Sequence, residues 1–184
     1  MLPTLQTILK IDDRLSHRIR LRPQDQIWWR LNSFLAHTGD SWYWLAVLLP
    51  VWIFSKGEWH NRAALLGGAI VFQALLVFAF KFTIRRRRPE GEWGAVYRNT
   101  DPHSFPSGHA TRAGMLLVLA WGLGPLWFSL AVLLWAPLMS LSRVTTGLHY
   151  LSDILVGFVF GLLIGGLVLN LTPLILSVFP FAFN

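Results

Sequence analysis

Residues 63–80 read AALLGGAIVFQALLVFAF and contain no Asp, Glu, Lys or Arg. Three further stretches also lack these four residue types, at 41–55, 113–142 and 154–184. A helix needs about 20 apolar residues to cross the hydrocarbon core of a bilayer. Only 14% of the 184 residues are charged, whereas a soluble domain carries about a quarter. The sequence therefore predicts an integral membrane protein rather than a soluble helical protein with a very apolar core.

The predicted fold class is all-α, a multi-span transmembrane helical bundle forming a single domain over residues 1–184. The sequence Gly-Leu-Gly-Pro at 122–125 divides one long apolar stretch into two spans. Five spans are predicted, at 41–55, 62–82, 109–122, 125–141 and 151–170. Residues 1–40 are expected to hold two interfacial helices, at 4–22 and 25–37. The apolar tail 171–184, which contains Pro173 and Pro180, is expected to be interfacial or re-entrant.

The formal net charge is +7, and the positive residues flank the apolar runs. This distribution suits anionic lipid head groups or a phosphorylated substrate better than nucleic acid. The chain has no cysteine, which excludes disulfides. Residues 1–23 lack the apolar core of a signal peptide, so we expect the spans themselves to direct insertion.

The predicted order of spans brings two polar segments to one membrane face. Residues 83–108 follow the second span. The third span leaves that face and the fourth returns to it, so residues 142–150 lie there too. Most of the residues that could carry chemistry are in or beside these segments, and we expect an active site where the segments meet.

Residues 142–153 read SRVTTGLHYLSD. His149 and Asp153 are four apart, so on a helix they share one face. The carboxylate can accept the Nδ1 proton of the imidazole and leave the Nε2 lone pair as a nucleophile. A plain ion pair at a helix start is the alternative, although ionisable groups at a membrane edge are costly and usually functional.

Residues 106–109 read PSGH, immediately before the third span. Gly108 would allow the backbone to approach a ligand closely, and the unpaired N–H groups of a helix N-terminus bind anions. Ser107 adds a hydroxyl donor, and His109 can act as general acid for a leaving oxygen. An ordinary helix cap, with His109 at the level of the head groups, is the alternative.

Residues 81–89 read KFTIRRRRP. Lys81 and Arg88, together with Arg143, could surround one phosphate and offset the charge of its transition state without a metal. We interpret Arg85, Arg86 and Arg87 as a polybasic anchor for anionic lipid.

No metal site and no cofactor are predicted. His103 and His109 have no carboxylate cluster between them, and Asp101 and His103 are interpreted as ordinary loop residues. No role is assigned to His17, His37 and His60.

The three motifs resemble those of the type 2 phosphatidic acid phosphatase family of membrane lipid phosphatases, and the similarity extends to small bacterial undecaprenyl-diphosphate and phosphatidylglycerophosphate phosphatases. The motifs stand in the family's order and spacing, within residues 81–153. They are Lys81…Arg88-Pro89, Pro106-Ser107-Gly108-His109 and Ser142-Arg143…His149…Asp153.

The resemblance implies a role for each matched residue. His149 would be the nucleophile that forms a phosphohistidine, Asp153 would orient it, and His109 would protonate the leaving alcohol or phosphate. The phosphoryl group would be bound by Lys81, Arg88, Ser107, Gly108 and Arg143. The resemblance also implies that no metal takes part.

Many family members have six spans, whereas five are predicted here, as expected for small bacterial members that begin with interfacial helices. Only Lys56 and Arg62 fall on the face opposite the active site, so the positive-inside rule would place the active face in the cytoplasm. The family resemblance implies the extracytoplasmic face, and we adopt that expectation.

The leading hypothesis is a lipid phosphatase acting on undecaprenyl diphosphate, phosphatidic acid or phosphatidylglycerol phosphate. A lipid-to-lipid phosphotransferase could use the same phosphohistidine with an acceptor hydroxyl in place of water. A third hypothesis, from another class, is a non-catalytic protein that binds anionic lipid through Arg85–Arg88.

Overall fold

The computed structural model describes residues 4–22, 26–90 and 101–183. Within those ranges the chain forms seven α-helices and no strand, apart from an isolated bridge between Arg87 and His103. The prediction of an all-α fold is confirmed. The helices are α1 (Leu5–Arg18), α2 (Gln26–His37), α3 (Ser41–Phe54), α4 (Glu58–Ile84), α5 (Gly108–Leu123), α6 (Leu126–Thr145) and α7 (Leu151–Val178). A short 3-10 turn, Pro180–Ala182, follows α7.

Three of these helices, α4, α6 and α7, are long and apolar enough to cross a membrane. Helices α3 and α5 have 14 and 16 residues, which at about 1.5 Å per residue is shorter than the ~30 Å hydrocarbon core. The predicted count of five spans is therefore not confirmed. The outward surface supports a membrane setting, because large apolar side chains such as Phe54, Leu134 and Leu163 are 84%, 69% and 67% exposed.

Helix α7 continues past the predicted end of the last span at residue 170 and ends at Val178. The helix is thus longer than the span predicted at 151–170, and it includes Pro173 and most of the predicted tail. In an apolar environment the helix is the conformation that satisfies most backbone groups internally, so a single proline is tolerated. Pro50 in α3 and Pro137 in α6 lie inside helices in the same way.

Helices α5 and α7 pack through glycines spaced four residues apart on α7. A Cβ atom on Gly161 would lie 2.0 Å from the carbonyl oxygen of Thr111, and one on Gly157 would lie 2.8 Å from that of Ser107. Gly165 meets α5 one turn further along. Small residues at this spacing let two helix backbones approach closely, and here they bring the N-terminal ends of α5 and α7 side by side.

The two N-terminal helices pack against the same end of the bundle. Ser16 of α1 accepts a hydrogen bond from the Leu151 N–H of α7 at 2.8 Å. Asn32 of α2 donates to the Thr145 hydroxyl of α6 at 2.5 Å. The opposite side of α1 exposes apolar side chains, among them Ile8, Ile11 and Leu15. The interfacial placement of residues 1–40 remains a prediction.

Candidate active site

Contacts at one end of the bundle link residues from all three motifs. Arg88, after α4, reaches His149, before α7, with 3.1 Å between Nη1 and Nε2. The Ser107 N–H, before α5, donates to the Asp153 carbonyl of α7 at 3.1 Å. The His149 N–H donates to the Arg143 carbonyl at 3.1 Å. The three motifs therefore share one site.

The His149 ring is 1% exposed. Its Nδ1 lies 3.4 Å from Oδ2 of Asp153, but the two atoms are not aligned for a hydrogen bond. Burial, followed by the positive charges of Arg88, Arg143 and Lys81, lowers the pKa of His149 well below its ordinary value. The ring is thus neutral at neutral pH and keeps a lone pair.

Asp153 lies in the first turn of α7 and is fully buried. Its Oδ1 accepts a hydrogen bond from Arg86 at 2.7 Å, and its Oδ2 accepts one from the Tyr150 N–H at 2.9 Å. The carboxylate therefore also caps the helix that it belongs to. His149 faces an oxygen that is already engaged with the backbone.

Three buried cations surround this histidine: Lys81, Arg88 and Arg143 are 6%, 5% and 1% exposed. The carboxylate of Asp101 forms ion pairs with Lys81 and, at 2.7 Å, with Arg88. A carboxylate of the protein itself thus forms ion pairs with two of the cations that were predicted to bind phosphate. The interpretation of Asp101 as an ordinary loop residue is wrong.

The PSGH motif starts α5. Ser107 is the N-cap residue, and its hydroxyl accepts from the Ala110 N–H at 3.4 Å. A Cβ on Gly108 would meet only Val77, at an ordinary 3.5 Å, so nothing within the described protein requires glycine there. The N–H groups of the first turn of α5 remain an anion-binding feature.

His109 pairs with Asp40, a residue that the sequence analysis did not single out. Its Nε2 lies 2.5 Å from Oδ1 of Asp40, and Oδ2 of Asp40 lies 3.1 Å from Nδ1 of His37. Burial alone would raise the pKa of Asp40, but the hydrogen bond and charge of His109, the hydrogen bond of His37 and the charge of Arg143 hold that pKa at about 2. Asp40 is thus ionised, and His37, to which the sequence analysis assigned no role, lies against its second oxygen.

Arg112 and Arg143 lie close to the pair formed by His109 and Asp40. The buried guanidinium of Arg112 donates to the Gly39 carbonyl and the Ser41 hydroxyl, which fixes the turn that carries Asp40. The charge of Arg143 acts on both His109 and His149. One arginine therefore lies close enough to influence both histidines.

Arg86 is not a lipid anchor, contrary to the prediction. Its side chain is 15% exposed and forms ion pairs with Asp12 at 2.6 Å and Asp153 at 2.7 Å. Its neighbours Arg85 and Arg87 are exposed. Sequence alone could not separate the three, because the ion-pair partners come from distant helices.

Among residues 4–22, 26–90 and 101–183, no group of three His, Cys, Asp or Glu side chains is arranged to hold a metal. His103 packs edge-on against Phe82, with ring centroids 5.3 Å apart. The absence of a metal or cofactor requirement stays a prediction.

A sequence model of the PAP2 superfamily matches residues 62–175. The decaprenylphosphoryl-5-phosphoribose phosphatase of Mycobacterium tuberculosis is 37% identical over 142 residues, covering 73% of this chain and 75% of that protein. The undecaprenyl-diphosphatase of Sulfolobus acidocaldarius is 27% identical over 135 residues, covering 71% of this chain and 64% of that protein.

The fold is similar to the crystal structure of a transmembrane PAP2-type phosphatidylglycerolphosphate phosphatase from Bacillus subtilis. The TM-score is 0.74 at 24% identity, over 92% of this chain and 88% of the other. Residues 62–175, which the superfamily model matches, contain all three motifs and both site histidines. The chain belongs to the PAP2 superfamily, and it is a membrane phosphatase.

Proposed function

We propose that this protein hydrolyses a phosphate monoester or diphosphate on a membrane lipid through a phosphohistidine at His149. The observation that carries the proposal is the contact between Nε2 of His149 and the buried guanidinium of Arg88 at 3.1 Å. An arginine at that position can hold a phosphoryl oxygen beside the nitrogen that attacks phosphorus. Lys81 and Arg143 add positive charge at the same place.

In the first step Nε2 of His149 forms a bond to phosphorus, and the bond from phosphorus to the lipid oxygen breaks. His109 gives a proton to that leaving oxygen. Since Nε2 of His109 is engaged by Asp40, the proton given is the one on Nδ1. Asp153 offsets the positive charge that the His149 ring acquires.

In the second step the now neutral His109 takes a proton from water. The oxygen of that water forms a bond to phosphorus, and the bond from phosphorus to Nε2 breaks. Inorganic phosphate leaves and His149 is neutral again, so one water is consumed for each phosphate released. Lys81, Arg88 and Arg143, with Ser107 and Gly108 at the start of α5, hold the phosphoryl oxygens through both steps.

A polyprenyl carrier is the lipid that the comparisons favour, because two relatives are named for decaprenyl and undecaprenyl phosphates. Phosphatidic acid and phosphatidylglycerol phosphate remain within the proposal. Purified protein, assayed for phosphate release in excess chelator, should act on at least one lipid of this panel. The His149→Ala variant should be inactive on all of them, and retained turnover would remove the mechanism.

We also propose that α3 and α5 complete a count of five spans in one multi-pass domain, with the active site on the extracytoplasmic face. Because the chain has no cysteine, a single introduced thiol is a unique probe. Glu90→Cys should react with an impermeant reagent on intact cells, and Lys56→Cys should react only after lysis. The reverse pattern would place the active face in the cytoplasm.

A further inference from the structure

Asp12 is a buried carboxylate on an otherwise surface-exposed helix. It is 9% exposed, whereas its neighbours Ile11 and Asp13 are exposed. Ser16, one turn later on the same face of α1, is fully buried. Asp12 lies outside residues 62–175, the part of the chain that the superfamily model matches. Burying a carboxylate is costly unless it is paired, so its partners indicate its role.

Those partners are the start of α7 and the guanidinium of Arg86. Oδ1 of Asp12 accepts from the Ser152 N–H at 3.0 Å, and Oδ2 accepts from the Ser152 hydroxyl at 2.5 Å. Oδ2 also accepts from Nη2 of Arg86 at 2.6 Å. Helix α1 is thereby fixed to the first turn of α7, which contains Asp153.

Arg86 continues the connection to the site. Its Nη1 donates to Oδ1 of Asp153 at 2.7 Å and to Ser152 Oγ at 2.6 Å. The guanidinium also lies 4.0 Å from the centroid of the Tyr150 ring. The two terminal nitrogens of the Arg86 guanidinium therefore bridge the carboxylates of Asp12 and Asp153. The guanidinium also packs against the face of the Tyr150 ring.

We propose that Asp12 and Arg86 are positioning residues. They hold the carboxylate of Asp153 in the place from which it orients His149 and offsets the charge on its ring. Arg86 holds Oδ1 of Asp153 and so directs Oδ2 toward Nδ1 of His149. Asp12 holds the other end of the same guanidinium, so that Arg86 cannot rotate away from Asp153 or withdraw toward solvent. The N-terminal helix thus becomes part of the catalytic apparatus, although it supplies no group that touches the phosphoryl.

The inference rests on the proposed function, in which Asp153 supports a His149 nucleophile. Asp12→Asn keeps the size of the side chain and removes its charge, and Asp13→Asn is the matched control on the exposed face. In full-length protein we expect Asp12→Asn to lower kcat about tenfold or more with KM little changed. Asp13→Asn should match wild type, and Asp12→Glu should recover part of the loss.

Ser16→Ala separates positioning from helix docking. It removes a contact between α1 and α7 and leaves the ion pairs of Arg86 in place. We expect it to cost less kcat than Asp12→Asn. Equal losses would mean that docking of α1 accounts for the whole effect, which would overturn the proposal.

A double-mutant comparison tests whether Asp12 acts through Asp153. In an Asp153→Asn background, Asp12→Asn should cause no further loss of kcat, since the group that it positions is gone. A loss by the same factor in both backgrounds would overturn the inference while leaving the phosphohistidine untouched. Activity retained by His149→Ala would instead remove the proposed function itself.

Discussion

The site contains two histidine–carboxylate pairs, and they are built differently. The carboxylate of Asp40 lies 2.5 Å from Nε2 of His109 and 3.1 Å from Nδ1 of a second histidine, His37. His149 and Asp153 are 3.4 Å apart, and Asp153 is held by Arg86 and by the backbone. The carboxylate of Asp40 is thus bound to imidazoles, whereas that of Asp153 is bound to the guanidinium of Arg86.

The difference matches what each ring has to do in the proposed mechanism. A carboxylate already paired with an arginine attracts a further proton to its histidine less strongly, so the resting ring keeps its lone pair, and the carboxylate is still in place to offset the charge that follows attack. A carboxylate that is hydrogen-bonded to imidazoles favours a proton on its histidine and so opposes the burial and the positive charge that act there, which suits an acid and base. The predictions below test this division of roles.

The largest expected effect separates the two histidines by their chemistry. His149→Ala should lose activity by about 10⁴-fold or more on every substrate, because no phosphoenzyme can form. His109→Ala should lose about 10²- to 10⁴-fold on a lipid alkoxide leaving group. On an aryl phosphate, whose leaving group needs no proton, His109→Ala should still form phosphoenzyme.

Trapping of acid-labile, base-stable phosphoenzyme with labelled substrate measures this difference. If His149→Ala forms phosphoenzyme while His109→Ala does not, the two roles are reversed and the comparison fails.

The next effect concerns the carboxylates. Asp40→Asn leaves His109 without its charged partner and should lower kcat about tenfold to a hundredfold on lipid substrate, with little loss on an aryl phosphate. Asp153→Asn should slow both substrates, because it acts on the nucleophile. Steady-state kinetics gives, for each variant, the ratio of the kcat loss on lipid substrate to the kcat loss on an aryl phosphate. Equal ratios for Asp40→Asn and Asp153→Asn would show that the two pairs are not specialised.

The pH profile gives a third test. Protonation of His149 removes its lone pair, so activity is lost as pH falls through the pKa of His149. Because burial and three cations lower that pKa, this loss should occur well below the ordinary value of about 6.5. Arg88→Gln removes one of those cations, so its residual kcat/KM should begin to fall at a higher pH than that of the wild type. A fall at the same pH would mean that another group controls the profile.

The smallest expected effect is on anion binding. The Asp101 carboxylate contacts Lys81 and Arg88 and therefore competes with a phosphoryl group for them. Asp101→Asn should tighten inhibition by inorganic phosphate or vanadate by a few fold, roughly 1 kcal/mol or less, because the carboxylate is partly exposed and screened. Glu90→Gln is an exposed control, and unchanged inhibition in Asp101→Asn would mean that Asp101 does not compete.

Much of this arrangement is readable from sequence because the signals are local. Apolar runs predict the helices, and a spacing of four relates His149 to Asp153. The partners of these groups are not readable in the same way. Asp40 and His109 are 69 residues apart, and Asp12 and Arg86 are 74 apart, so only packing brings them together. Arg86 is the clearest case, since four consecutive arginines look alike until the fold buries Arg88 and half-buries Arg86.

The glycines of α7 have a consequence for how the enzyme moves. With Gly157 and Gly161 seated against the backbone of α5, the loop that would hold phosphate and the helix that carries Asp153 cannot slide past each other without a collision. They form one stiff frame with a fixed spacing between nucleophile and anion site. We therefore expect any opening that admits a lipid head group to come from the surrounding helices.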